Sequence, residues 1–229
     1  MAQRKKRSAT ELAHLPFSDR SRLDRPSLWG AMVGMLAVGV FHVFLPSELL
    51  IAPAWLFLAV EGVFLSPVVF SLVSRHGLPY TSLHLLLLLL LGMLTLGLAC
   101  DITRLLITVI GNKYATVLLR AALLLWGSQV LIFGLWYWRI DSGGPAKRHQ
   151  VDSSRAADFL FPQQENGNPT GWMPCFLDYL FLAFTGATAL SPTEMFPLTS
   201  RAKALMMIEA LLSLLVVAVP AISQFHLPW

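Results

Sequence analysis

The stretch "LHLLLLLLLGMLTLGLAC", Leu83–Cys100, decides the class of fold. Its eighteen residues contain no Asp, Glu, Lys or Arg. An uncharged apolar run of that length reads as a membrane-crossing helix rather than a core helix. Similar runs recur outward from it. The expected spans are Ser27–Leu45, Ile51–Val73, Leu83 to about Ile110, Thr116–Trp138 and Ala202–Ser223, with a shorter segment over Cys175–Leu190. The third run is long for one crossing and is expected to tilt or protrude. The fourth ends in "LWYW" followed at once by Arg139 and Asp141, the pattern of an aromatic belt at a membrane surface.

Composition agrees. The chain has 229 residues, 55% of them hydrophobic and only 13% charged, and its mean hydropathy is +0.63. Soluble domains carry about 25% charged residues. The net charge of +4 lies outside the apolar runs, which points to orientation in a bilayer and not to nucleic-acid binding. Cys100 and Cys175 show no CxxC spacing, and no two of the six histidines stand four apart. Neither a disulfide framework nor a metal site is expected. No cofactor motif is present. The first apolar run follows some twenty mostly polar residues and has no A-x-A-like site after it, so it reads as an uncleaved span and not a signal peptide.

The expected organisation is all-α: a polytopic transmembrane helix bundle of five full spans plus a short C-terminal sixth span or pore-like half-helix. Residues 1–26 form a basic cytoplasmic tail, 27–138 a four-helix transmembrane region, 139–174 a polar loop, and 175–229 a helix–loop–helix module. Within the polar loop, "AADFLFPQ" is expected to rest on the membrane surface. Gly30 and Gly34 have the GxxxG spacing of a helix contact face. With the N-terminus inside and six crossings, twelve Lys and Arg fall on the inner side and three on the outer. That imbalance favours a cytoplasmic N-terminus and, of the two arrangements, an ordinary six-span chain.

Charge inside a span is costly and commonly functional. The intramembrane charges are Glu61, Asp101, Arg104 and Arg120, with Asp178 at the start of the fifth segment and Glu209 in the last. Asp101 and Arg104 stand three apart on one helix face and can pair, with Arg120 in reach across the hairpin. A structural salt bridge and a gate or proton relay are the two readings. Glu61 has no local partner, so it faces a polar cavity or pairs across helices. Asp178 suits the positive end of a helix dipole. No GxSxG, HExxH, P-loop or strand-linked GxGxxG occurs, and the chain is not expected to be an enzyme.

From Tyr179 to about Ala221 the chain resembles the pore module of potassium channels. "YLFLAFTGAT" is similar to the pore helix of that family, and "ALSPTE" falls where its T-V-G-Y-G-D filter stands. "FPLTSRAKAL" looks like the exit into the inner helix, with Pro197 and Thr199 at matching places and Ser213 at the hinge glycine. The resemblance implies a re-entrant loop entering, in this chain, from the cytoplasmic side. The filter glycines are replaced by Ser191, Pro192 and Thr193, so potassium selectivity is not implied. Through "LWYWRIDSGGP", "DFLFPQ" and "ATALSPTEMFPLT" the whole chain also resembles a family of uncharacterised bacterial integral membrane proteins, which implies an inner-membrane location.

Three functions follow. The first is a channel-like permeation protein, oligomeric, passing an inorganic ion along Thr188, Ser191, Thr193, Glu194 and Glu209. The second is a membrane scaffold or accessory subunit without transport. The third is a small-solute transporter using Glu61 and Asp101. The partners expected are the lipid bilayer and further copies of the chain, and not nucleic acid.

Overall fold

The computed structural model describes residues 25–47, 49–50, 53–73, 80–111, 115–144, 157–167, 172–188 and 195–225. The described residues are mostly helical. The helices are α1 (Arg25–Val43), α2 (Ala54–Val73), α3 (Tyr80–Gly111), α4 (Ala115–Ile140), α5 (Phe176–Ala187) and α6 (Ser200–Phe225). Leu85–Thr108 and Val117–Gly143 are long and apolar enough to cross a membrane by length and composition. Gly30–Val43, Trp55–Pro67 and Phe176–Ala187 are shorter apolar helices.

Helix α4 is the centre. It packs against α1, α3, α5 and α6, and its Ala121, Leu125, Ile132, Phe133, Leu135 and Trp138 are buried. Residue contacts give the directions. Gly34 of α1 approaches Leu135, and Gly127 of α4 meets Phe41, so α1 runs antiparallel to α4. Tyr137 bonds Glu209 and Gln129 bonds Ser213, so α6 is antiparallel as well. Trp138 meets Phe176 and Trp126 meets Phe184, so α5 also descends along α4 from its C-terminal end.

The GxxxG face of α1 receives an aromatic ring and not a second backbone. A Cβ on Gly30 would lie 3.3 Å from Phe176, and one on Gly34 would lie 3.0 Å from the same ring. On α4, Gly134 lets the α5 backbone approach: an added Cβ there would be 3.1 Å from the Leu180 Cα. A Gly134→Leu variant is expected to push α5 away at a cost of about 1–3 kcal/mol, the range for overpacking. Thermal unfolding in detergent measures it, and an unchanged midpoint would refute the close approach.

The C-terminal third turns back on itself. Twelve-residue α5 is about 18 Å long, against about 30 Å of bilayer hydrocarbon. It starts beside the end of α4 and finishes with Gly186 against Glu209, well inside α6. After Thr188 the described chain resumes at Met195, back at the starting end. There the strand β1 (Phe159–Leu160) pairs antiparallel with β2 (Phe196–Pro197), with Phe159 opposite Pro197 and Leu160 opposite Phe196. A further bond runs from the Leu198 N–H to the Asp158 carbonyl at 2.8 Å. The described residues before α5 and those from Met195 onward therefore lie at one end of the bundle.

This overturns the expected place of "AADFLFPQ". Phe159 and Phe161 are fully buried, not resting on a surface. Their rings meet Tyr137, Tyr179 and Trp172 edge-on or tilted at centroid distances of 5.1 to 6.4 Å, geometries favoured by the ring quadrupole. The "polar loop" thus contributes two of the largest buried side chains of the core.

Candidate functional site

Two polar clusters hold the turned-back segment. The first sits at the end of α4. A 3-10 turn over Asp141–Gly143 breaks the helix, and Ser142, Gly143 and Gly144 take φ of 55°, 76° and 97°. Left-handed residues in succession reverse the chain, and glycine adopts them without a Cβ clash. The turn leaves the Asp141 carboxylate buried and pointing into the bundle. Its Oδ1 accepts the Asp158 N–H at 2.7 Å and the Phe159 N–H at 3.3 Å. Its Oδ2 accepts the Tyr179 hydroxyl at 2.5 Å. One carboxylate thereby joins α4, the 157–161 segment and α5.

Asp158 extends this latch to α6. The Arg201 Nε and Nη2 donate to its two oxygens at 2.6 Å each, and Thr199 Oγ1 donates at 2.5 Å. The Asp158 side chain is 0% exposed while that of Arg201 is 60% exposed. The fork geometry is the strong form of an ion pair, and the exposed guanidinium keeps part of its hydration. Hydrogen bonding to Asp158 raises the Arg201 pKa above its ordinary value, with no effect at neutral pH because the guanidinium is already protonated there.

The second cluster lies where α5 ends. Glu209 is 1% exposed. Its Oε2 accepts the Tyr137 hydroxyl. The Gln129 side-chain nitrogen donates to the Glu209 carbonyl at 2.7 Å and to Ser213 Oγ at 2.6 Å. Oε1 of Glu209 and Oε1 of Gln129 are buried with no hydrogen-bond partner among the described residues. The carboxylate lies over Gly186, where an added Cβ would come within 2.8 Å of Oε2. A glycine in the last turn of α5 is what admits it.

Of the other charges expected within spans, Glu61 lies on α2, Asp101 and Arg104 on α3, and Arg120 on α4. Asp101 is buried and its carboxylate lies 3.2 Å from Nδ1 of His42 on α1, a partner the local Asp101–Arg104 spacing does not suggest. His42 stacks on Phe57 at 4.1 Å. A cavity of ≈ 10 Å³, of the order of one water molecule, is lined by His42, Phe57, Asp101, Ser128 and Ile132 among others. Glu61 is 0% exposed, and both its oxygens lack a hydrogen-bond partner among the described residues. It packs against Gly39, where any Cβ would overlap its carboxylate. Glu61 thus packs on α1 at Gly39, and the expected pairing across helices is not made among the described residues. Arg104 is half-buried and Arg120 exposed.

Of the expected lining residues, Thr188 caps α5, its N–H and hydroxyl both donating to the Phe184 carbonyl. Glu209 faces α4 and α5 inside the protomer. Ser191, Thr193 and Glu194 lie outside the described residues. Asp178 accepts the Cys175 N–H at 2.6 Å, at the helix start where its charge suits the dipole. Sequence reasoning missed Gln129, Tyr137, Asp141, Asp158, Tyr179 and Arg201. Gln129 carried a signal, being an amide in the middle of an apolar run. Asp141 carried another, standing just before two glycines. Among the described residues no group of three His, Cys, Asp or Glu is placed to hold a metal ion. No protein-family profile, curated protein or solved structure matches the chain.

Proposed function

We propose that the chain is a multi-pass integral membrane protein of five crossings, α1 to α4 and α6, with α5 as a re-entrant half-helix, and that it passes an inorganic ion through a site inside each protomer. The observation that carries this is the turned-back α5, which delivers a helix end to the buried Glu209 carboxylate. The side chains on the helix surfaces support the membrane part. Leu89, Leu96, Ile107, Met207, Leu211 and Leu214 are exposed, while Glu61, Asp101, Gln129, Glu209 and Ser213 are buried. Helices in water have the opposite arrangement. Polar groups turned inward suit hydrocarbon surroundings.

Topology supports it too. If Cys175–Leu190 re-enters, Arg201 and Lys203 join the side of the N-terminus. Fourteen Lys and Arg then lie on that side and one, Lys113, on the other, with Arg104 and Arg120 inside spans. The six-crossing count of twelve against three is weaker, so the positive-inside rule favours the re-entrant arrangement with a cytoplasmic N-terminus. The site is within one bundle, since Glu209 meets α4 and α5 of its own chain, so this reading does not need the fourfold lining that the pore-module resemblance implies. The bacterial inner membrane follows only from the family resemblance and is part of this proposal.

Purified protein in liposomes tests it. Sodium, potassium or proton flux is expected above that of empty liposomes, and Glu209→Gln is expected to lower it at least about tenfold, the effect of about 1.4 kcal/mol on the barrier. No flux of any of the three would leave a non-transporting scaffold as the reading. The close contact of Gly134 with the α5 backbone is the observation that favours that alternative, because it makes α5 a rigid part of the bundle.

A further inference from the structure

The Glu209 cluster has more acceptors than donors. The acceptors are both oxygens of the Glu209 carboxylate, its carbonyl, Ser213 Oγ and the Gln129 amide oxygen. The donors that reach them are the Tyr137 hydroxyl and the Gln129 amide, and the Ser213 hydroxyl adds one more proton, still one fewer than the acceptors. Two buried oxygens, Glu209 Oε1 and Gln129 Oε1, are left over. A buried acceptor without a partner costs about 1–3 kcal/mol, and more if charged. The Glu209 carbonyl orients the Gln129 amide: a flipped amide would set oxygen against oxygen there, so the nitrogen faces the carbonyl and the unpartnered atom is the oxygen. No Lys, Arg or His among the described residues pairs with Glu209.

The helix end adds to this. The carboxylate lies on Gly186, one residue before the last residue of α5. A helix C-terminus carries a partial negative charge, which favours cations and disfavours a carboxylate. Placing a carboxylate there makes sense where a positive ion is shared between the two. In membrane proteins, broken-helix C-termini and buried carboxylates hold sodium or protons in this way.

We infer that the Glu209 carboxylate and the C-terminal end of α5 form a binding site for one monovalent cation, an alkali ion or a proton. The inference deepens the permeation reading by naming what the site takes, and it rests on that reading for its role but not for its chemistry. The other groups that face the carboxylate are few. Tyr137 from α4 is the titratable side chain that touches it, and α3 and α5, which also pack on α6, contribute none among the described residues.

The test is thermal unfolding of the purified full-length protein, read by tryptophan fluorescence in three arms. In two arms, sodium chloride or potassium chloride replaces choline chloride at constant ionic strength. In the third, choline chloride is kept and the solution is taken from about pH 8 to about pH 5, the span over which a buried carboxylate can take up a proton. An alkali site predicts a saturable rise of a few degrees with one alkali ion over choline, and a proton site predicts it on acidification. Glu209→Gln is expected to lose at least two-thirds of the rise in whichever arm responds. Ser213→Ala, which leaves the carboxylate in place, is expected to keep the wild-type response in every arm. Equal responses of wild type and Glu209→Gln in every arm, or no wild-type response in any, would overturn the site. Cation binding without flux supports the site and removes permeation. Flux with no cation response removes the site and leaves permeation standing.

Discussion

Replacing Asp141 with alanine is expected to cost roughly 3–5 kcal/mol and to lower the unfolding midpoint in detergent by about 10 °C. The size follows from what the carboxylate leaves behind. Two backbone N–H groups, of Asp158 and Phe159, and the Tyr179 hydroxyl lose their acceptor together. All four residues are buried, so water does not replace it. Each orphaned donor costs about 1–3 kcal/mol. Asp141→Asn keeps an acceptor oxygen on one side only and is expected to fall between the two. Asp141→Ala should also loosen the start of α5, because it removes the hydrogen bond from Tyr179 to the end of α4. The free thiol of Cys175, exposed at that start, then reacts faster with a maleimide. A midpoint within about 1 °C of wild type would show that the latch contributes nothing.

Phe159→Ala is expected to cost about 3–5 kcal/mol, the range for removing a fully buried ring. Phe159 is 0% exposed and packs edge-on to Tyr137 and Tyr179. Its strand neighbour supplies the control. Phe196 is 51% exposed although it lies in the paired strand, so Phe196→Ala is expected to stay within about 0.5 kcal/mol. The contrast separates packing from pairing, since both residues belong to the same two-strand ladder. Equal losses for both rings would mean that 157–161 is not part of the core.

How much of this was legible follows from physical range. Uncharged runs such as Leu83–Cys100 announce helices because one helix satisfies its own backbone wherever its partners lie. The glycine spacing at Gly30 and Gly34 announced a contact face, but not that Phe176, nearly 150 positions later, would fill it. The latch was illegible for a related reason. Asp141, Asp158, Tyr179 and Arg201 are each ordinary polar residues in a polar stretch, and only the turned-back chain brings them together. "DFLF" was read as a surface patch because four residues between polar neighbours carry no periodicity that distinguishes core from interface. Glu209 was found by its charge. Gln129 and Tyr137 carry no formal charge to mark them, although in a low-dielectric interior an amide or hydroxyl also needs a partner. The charge count favours the re-entrant arrangement as soon as Arg201 and Lys203 are placed on the side of the N-terminus, and the bond of Arg201 to Asp158 agrees with that placement.

The re-entrant path of α5 is tested most directly by the sidedness of two single cysteines. Gln163, in the segment before α5, and Ser200, at the start of α6, are both exposed. Each is changed to cysteine in a protein whose Cys100 and Cys175 are replaced by serine, and an impermeant maleimide is applied to right-side-out and inside-out vesicles. Labelling of both from the same side, the side of the N-terminus, is the predicted result. Labelling of Gln163→Cys from one side and Ser200→Cys from the other would contradict it and restore a full sixth crossing.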